Sequence, residues 1–300
     1  MDIHLFAPQL AYLAQQAINA IQLGSIYALI ALGYSMVYGV LTMINFAHGD
    51  LFMVGAFLCL ILVSAAPIPL FLALILVMIG TGIVGALLER LAYRPLRSAP
   101  RVSAIITALG CGLIISNTVL SISPYARPMP RLFQDTTFAV GGVTISALQI
   151  LIIGTSVALM IVLDLLIRRT SFGMAMRAAS FDLKTVPLMG IPVNTIVGGT
   201  FFIGAALGGA AGVLYSQAFP VVFATMGMLV GWKAFVAAVI GGIGNLRGAV
   251  LGAYILGTVE VFSVAYLPST YRDLIAYSLL LVILIFKPYG LLGKAPIQKV

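Results

Sequence analysis

From Ile3 to Gly49 the sequence contains no Asp, Glu, Lys or Arg, and the 38 residues from Leu51 to Leu88 contain none either. Soluble domains carry about 25% charged residues; here 8% of 300 residues are charged and 62% are apolar. Uncharged runs of this length belong in hydrocarbon, where ~30 Å is spanned by roughly 20 helical residues. The chain therefore reads as an integral membrane protein. A β-barrel would show segments of about ten residues alternating polar and apolar, and no such pattern appears.

The run 51–88 is too long for one crossing, and Pro67-Ile68-Pro69 divides it into a tight helical hairpin. Further apolar runs cover 11–44, 102–122, 145–167, 194–217, 249–266 and 270–286. Segment 229–240 falls short of a full span and runs into Gly241-Gly242-Ile243-Gly244-Asn245, which breaks a helix. The expected fold is an all-α polytopic bundle forming one membrane domain over 1–300. It has eight transmembrane helices, nine if the interrupted segment crosses, with broken or half-helices near 45–50 and 241–248. Nine crossings would put the two termini on opposite sides and eight on the same side. Two polar connections are long: a Pro-rich loop over 123–144 and a second loop over 168–193. Neither is long enough for a soluble domain.

The formal charge of +8 is not a basic surface for nucleic acid, because its carriers are separated by apolar runs. Eleven of the sixteen basic residues fall in three clusters: Arg90, Arg94, Arg97 and Arg101; Arg168, Arg169, Arg177 and Lys184; Lys287, Lys294 and Lys299. Arg127, Arg131, Lys233, Arg247 and Arg272 are the remainder. This asymmetry is the positive-inside signature, predicting that the clusters, the 168–193 loop and the C-terminus are cytoplasmic and that 123–144 is external. The opening MDIHLFAPQL lacks a basic flank and a small-residue cleavage site, so it is expected to be retained. Cys59 and Cys111 lie in apolar runs and read as core residues.

Enzymatic chemistry has little to work with. There are two histidines, His4 and His48, and no H-E-x-x-H, G-x-S-x-G or G-x-x-x-x-G-K-[ST] pattern. No catalytic residue, metal site or cofactor is expected on this chain, and nucleotide hydrolysis would have to come from another one. The small-residue stripes Gly204, Gly208, Gly212 and Gly244, Gly248, Gly252 read as helix-packing surfaces.

Three features remain. The polar stretch Asn45-Phe46-Ala47-His48-Gly49-Asp50 interrupts two apolar segments. It is either a solvated turn in which Asn and Asp act as caps, or the start of a half-helix below the membrane surface, with Asp50 near that helix's N-terminus. The Gly241–Arg247 interruption has the same form, and a pair of Gly-interrupted segments points to a translocation path; its candidates are Asn45, His48, Gly49, Asp50, Gly241, Gly242, Gly244 and Asn245. Lys233 and Glu260 flank the second break within apolar runs, where pairing would reduce the cost of burying both. In the 168–193 loop, Met174, Ala178 and Phe181 would form the apolar face of a short helix, suited to a docking partner or to lipid headgroups.

Four blocks carry a family likeness: GSIYALIALGYSMVYGVLTMINFAHGDLFMVGAF (24–57), ERLAYRPLR (89–97), MRAASFDLKTVPLMGI (176–191) and KAFVAAVIGGIGNLRGAVLGA (233–253). In order and over essentially the whole chain, the sequence resembles the LivH-type permease subunit of branched-chain amino-acid ABC importers. The resemblance implies a bacterial inner-membrane complex with a second, LivM-type permease, two cytoplasmic ATPases that bind ATP and Mg²⁺, and an extracytoplasmic substrate-binding protein. It also implies that Gly173, Arg177, Asp182 and Gly190 belong to a helix coupled to the ATPases, and that 123–144 touches the binding protein. Close relatives are associated with urea and short amides, so the substrate stays open between these and Leu, Ile or Val. The competing class is an autonomous ion-coupled transporter using His48, Asp50 or Glu260; a membrane scaffold is a second competitor.

Overall fold

The structure is a computed structural model and describes residues 3–97, 99–134, 136–183 and 185–293. Lys184, Lys294 and Lys299, three members of the basic clusters, lie outside the described residues, as does the side chain of Arg101. Ten α-helices follow one another: α1 (Ile3–Leu41), α2 (His48–Ala65), α3 (Leu70–Leu88), α4 (Arg101–Ile122), α5 (Ala147–Arg169), α6 (Ser171–Phe181), α7 (Val193–Ala218), α8 (Met226–Gly241), α9 (Leu246–Tyr266) and α10 (Arg272–Phe286). Among the described residues eight of these are long and apolar enough to cross a membrane; α6 is the short helix of the 168–193 loop, and α8 has only 16 residues.

Two small antiparallel strand pairs were not foreseen in the sequence. β1 (Arg127–Pro128) pairs with β4 (Val221–Val222), and β2 (Thr137–Val140) pairs with β3 (Val143–Ser146) through a turn at Gly141-Gly142. Both glycines adopt positive φ, 59° and 83°, which suits a two-residue hairpin turn. β3 leads directly into α5, whose first turn is closed by a capping box between Ser146 and Gln149.

The bundle is built around α1, which packs on α5, α7, α8 and α9; Ile26 to Ala31 are almost completely buried. Side chains of α3, α4, α5 and α10 form the apolar exterior, including Ile79, Leu113, Ile161 and Leu281. The glycine stripe of α7 works by close approach. Gly204 lies against the backbone of Gly33, and a Cβ at Gly212 would strike the Phe52 carbonyl of α2. On α9, Gly248 and Gly252 meet the backbone of α8 at Gly241, whereas Gly244 lies outside the helix.

Contacts between chain ends define two faces. Tyr12 near the start of α1 donates to the Ala265 carbonyl, and Gln15 accepts from the Thr144 amide. Gly39 near the end of α1 lies against Gly244, beside the C-terminal tail. The beginning of α1 and the C-terminal tail therefore sit at opposite ends. Arg90, Arg94, Arg97, Arg168, Arg169, Arg177 and Lys287 lie at or beyond the ends of α3, α5 and α10 on the tail's side and make this the basic end of the bundle.

Candidate translocation site

Helix α2 does not start at the surface. His48, in its first turn, is 1% exposed and wedged between Gly33 of α1 and Gly208 of α7. Gly33 precedes the end of α1 at Leu41 by eight residues, roughly 12 Å of helical rise. The segment 42–47 therefore runs from the basic end into the bundle before α2 begins. Asn45 in this segment is 2% exposed and accepts a hydrogen bond from the Tyr93 hydroxyl at 2.9 Å.

Tyr93 closes a π-helical turn, Glu89–Tyr93, that extends α3. Glu89 forms an ion pair with Arg97, and Arg97 also donates to Asn194 at the start of α7 at 2.8 Å. The ERLAYRPLR block thus ties the end of α3 to α7 and holds the intruding segment in place.

Helix α8 also begins inside the bundle, approached from the opposite end through β4. A Cβ on Gly49 would lie 2.5 Å from the Gly227 carbonyl oxygen and 2.9 Å from the Cα of Gly231. The first turns of α2 and α8 therefore touch backbone to backbone. Two discontinuous helices presenting their N-termini to one point is the arrangement that places positive dipole ends at membrane depth.

Beside this junction is a cavity of about 260 Å³ lined by Tyr34, Phe46, Asp50, Gly112, Met228 and Trp232, among others. Phe46 and Trp232 have ring centroids 5.5 Å apart, and Phe235 lies 5.7 Å from both Phe46 and Tyr34. The Asp50 carboxylate lies between α4 and α8: a Cβ at Gly112 would be 2.6 Å from its Oδ2, and one at Gly227 would be 3.1 Å from its Oδ1. Among the described residues nothing donates a hydrogen bond to it or forms an ion pair with it. An unpaired carboxylate within an apolar span is costly and marks a candidate functional group.

The four candidates of the second break lie elsewhere. Gly242 and Gly244 take positive φ, 108° and 88°, and reverse the chain between α8 and α9 at the basic end. Asn245 caps α9, its Oδ1 accepting from the amides of Arg247 and Gly248, while its Nδ2 donates to the Leu292 carbonyl at 2.8 Å. The amides of Leu291 and Leu292 donate to the carbonyls of Ile240 and Gly241 at the end of α8. This break is where the C-terminal tail is tied down. Asn45–Asp50 is met instead by the beginning of α8, which no sequence motif singles out. A weaker signal was available there: Gly227 and Gly231, four apart on one helix face and followed by the single Trp of the chain.

Lys233 and Glu260 meet, with 3.2 Å between Nζ and Oε1, and they belong to a larger cluster. Arg272 approaches Glu260 Oε2 at 2.6 Å, Lys233 approaches Asp273 at 2.7 Å, and the Tyr27 hydroxyl donates to Glu260 at 3.0 Å. Two positive and two negative side chains balance, and they join α1, α8, α9 and α10 away from the Asp50 cavity.

At the basic end, α6 is pressed onto the end of α5. A Cβ at Gly173 would collide with the Ile167 carbonyl, and the Arg177 guanidinium donates to that same carbonyl at 2.7 Å. Gly173, Met176 and Ala179 face the bundle, Ala178 is half-buried, and Met174 and Phe181 project outward. Leu188 and Met189 extend that apolar surface, 87% and 74% exposed, before Gly190 ends their turn at φ 75°. The Asp182 carbonyl accepts from the Val186 amide, fixing the link between α6 and this turn.

Eight long apolar helices, two helix starts that meet inside them and a half-buried unpaired carboxylate fit a multi-span membrane transport protein. The chain belongs to the family described as branched-chain amino acid transport system / permease component, whose model matches residues 16–284. It is 40% identical over 306 residues to the high-affinity branched-chain amino acid transport system permease protein BraD of Pseudomonas aeruginosa, covering 98% of this chain and 100% of that one. It is 38% identical over 308 residues to the corresponding protein LivH of Salmonella typhimurium, covering 97% and 99% respectively. A shorter likeness, 30% over 142 residues, links it to the probable branched-chain amino acid transport permease protein LivM of Methanocaldococcus jannaschii, covering 43% of this chain and 41% of LivM.

Proposed function

We propose that this chain is one of two membrane-spanning subunits of an ATP-driven importer that carries Leu, Ile and Val inward by alternating access. The basic end and the C-terminal tail face the cytoplasm and the inner membrane is its location. The second permease is of LivM type, two separate ATPases hydrolyse ATP with Mg²⁺, and an extracytoplasmic binding protein delivers substrate to the end that carries 123–144. This chain holds no cofactor of its own and catalyses no reaction.

The observation that carries the reading is the junction of α2 and α8 beside the Asp50 cavity, on the face walled by α4. Helix α4 is mostly exposed in this chain and presents Asn117, Thr118 and Ser121 outward. The side chains of all three turn back to carbonyls of their own helix, with distances of 2.7–2.8 Å. Polar groups on that face are better placed against a second permease than against lipid, which sets the path between the two subunits. Purification of the tagged chain, expressed with the products of its neighbouring genes, is expected to yield a second permease and two P-loop ATPases. A chain that purifies alone and remains transport-competent contradicts the reading.

Helix α6 and the 186–189 turn form the coupling element. Their exposed apolar surface fits a cytoplasmic ATPase, and Arg177 and Gly173 lock the element to α5, so that a push on α6 moves the bundle. Arg177→Glu replaces a cation that satisfies the α5 C-terminus with an anion that opposes its dipole. The variant is expected to insert and assemble normally yet to lose substrate-stimulated ATPase activity in the reconstituted complex. Unchanged stimulation would remove Arg177 from the coupling path.

A further inference from the structure

We infer that Asp50 is an ammonium subsite: its carboxylate, facing the cavity between α2, α4 and α8, receives the α-ammonium group of an amino-acid substrate while the apolar wall receives an aliphatic side chain. The inference rests on the proposed transport function and deepens it. It makes this subunit, and not only the binding protein, selective for a cationic amine.

Three independent features of the cavity point to an organic cation. The carboxylate is charge-unbalanced, with no cation of this chain within ion-pair distance among the described residues, whereas Glu89, Asp164, Glu260 and Asp273 each have a basic partner. The cavity is also aromatic: Tyr34, Phe46 and Trp232 line it with Asp50, and ring faces attract an ammonium group. Space for the ligand depends on small residues, since any side chain at Gly112 or Gly227 would press on the carboxylate itself. Beyond these, Leu109, Leu113 and Met228 give an apolar surface and Ser116 one hydroxyl, none of them charged, so the side chain the cavity suits is apolar. The start of α2, built at the same junction, supplies a positive dipole end that suits a carboxylate carried on the same ligand. A neutral solute such as urea or a short amide leaves Asp50 uncompensated. A zwitterion with an aliphatic side chain satisfies every wall.

The test uses the complete importer in proteoliposomes with its binding protein, measuring radiolabelled leucine uptake and the quantity of assembled complex in parallel. Asp50→Asn keeps the size and polarity of the side chain and removes its charge. Uptake is expected to fall at least tenfold, in complex that assembles in parental quantity. Asp50→Glu restores the charge and is expected to recover at least a third of the parental uptake, a rescue that a purely structural role for the position would not produce. Parental uptake by Asp50→Asn overturns the subsite, and so does equal uptake by the Asn and Glu variants. Absence of ATP-dependent leucine uptake by the unmodified complex would instead overturn the proposed function, which keeps the two failures distinct.

Discussion

Glu260→Gln is expected to destabilise the bundle by about 3 kcal/mol, the low end of the range for breaking a buried ion pair, because one partner, Arg272, is partly exposed. Glu260 is fully buried, and its two oxygens hold Lys233, Arg272 and the Tyr27 hydroxyl. Losing the negative charge leaves two cations facing one remaining carboxylate, Asp273. The cost is electrostatic, and a second substitution should relieve it. In the Glu260→Gln background, Lys233→Met removes the surplus cation and leaves Arg272 and Asp273 balanced. The double variant is expected to regain at least half of the loss, a coupling read from the double-mutant cycle. Thermal unfolding in detergent measures both; a single variant that unfolds at the parental temperature would show that the cluster does not tie α8, α9 and α10 together.

Gly49→Leu is expected to abolish transport while leaving the protein folded. Its first side-chain carbon would already crowd the Gly227 carbonyl and Gly231, and two facing helix backbones cannot yield as a flexible side chain could. Overpacking of this kind costs about 1–3 kcal/mol, which a large bundle can absorb by letting α2 and α8 separate. Separation moves Asp50 on one helix away from Trp232 on the other and dismantles the cavity between them. Uptake in the reconstituted complex should fall at least tenfold, with normal quantities of chain in the membrane. Substantial uptake by this variant would mean that the junction of the two helices is not part of the path.

The features legible in the sequence were those set by one-dimensional pattern. Apolar runs located seven of the eight long helices to within about three residues, while α1 begins eight residues before its expected start, and Pro67 and Pro69 marked the α2–α3 hairpin because proline cannot continue a helix interior. Asp50 stood out because it is the one charged residue between Ile3 and Leu88, at a polar break between two apolar segments. The partner of its segment did not stand out. The Gly241–Asn245 break and the start of α8 are the two ends of one short helix, and the sequence flags the end rich in glycine. Which end meets Asn45–Asp50 is decided by tertiary contacts, Gly49 on Gly227 and Leu292 on Gly241, between residues remote in the chain. The same holds for Arg272 and Asp273. They sit at the head of α10 and look like surface charges until the fold brings them to Glu260.

Substrate accumulation under defined energy sources tests the central claim most directly. Proteoliposomes containing this chain, the second permease, the two ATPases and the binding protein should concentrate leucine when ATP is present, and should stop when either ATP or the binding protein is withheld. Concentrative leucine uptake by this chain alone, driven by a proton or sodium gradient without ATP, would contradict the account.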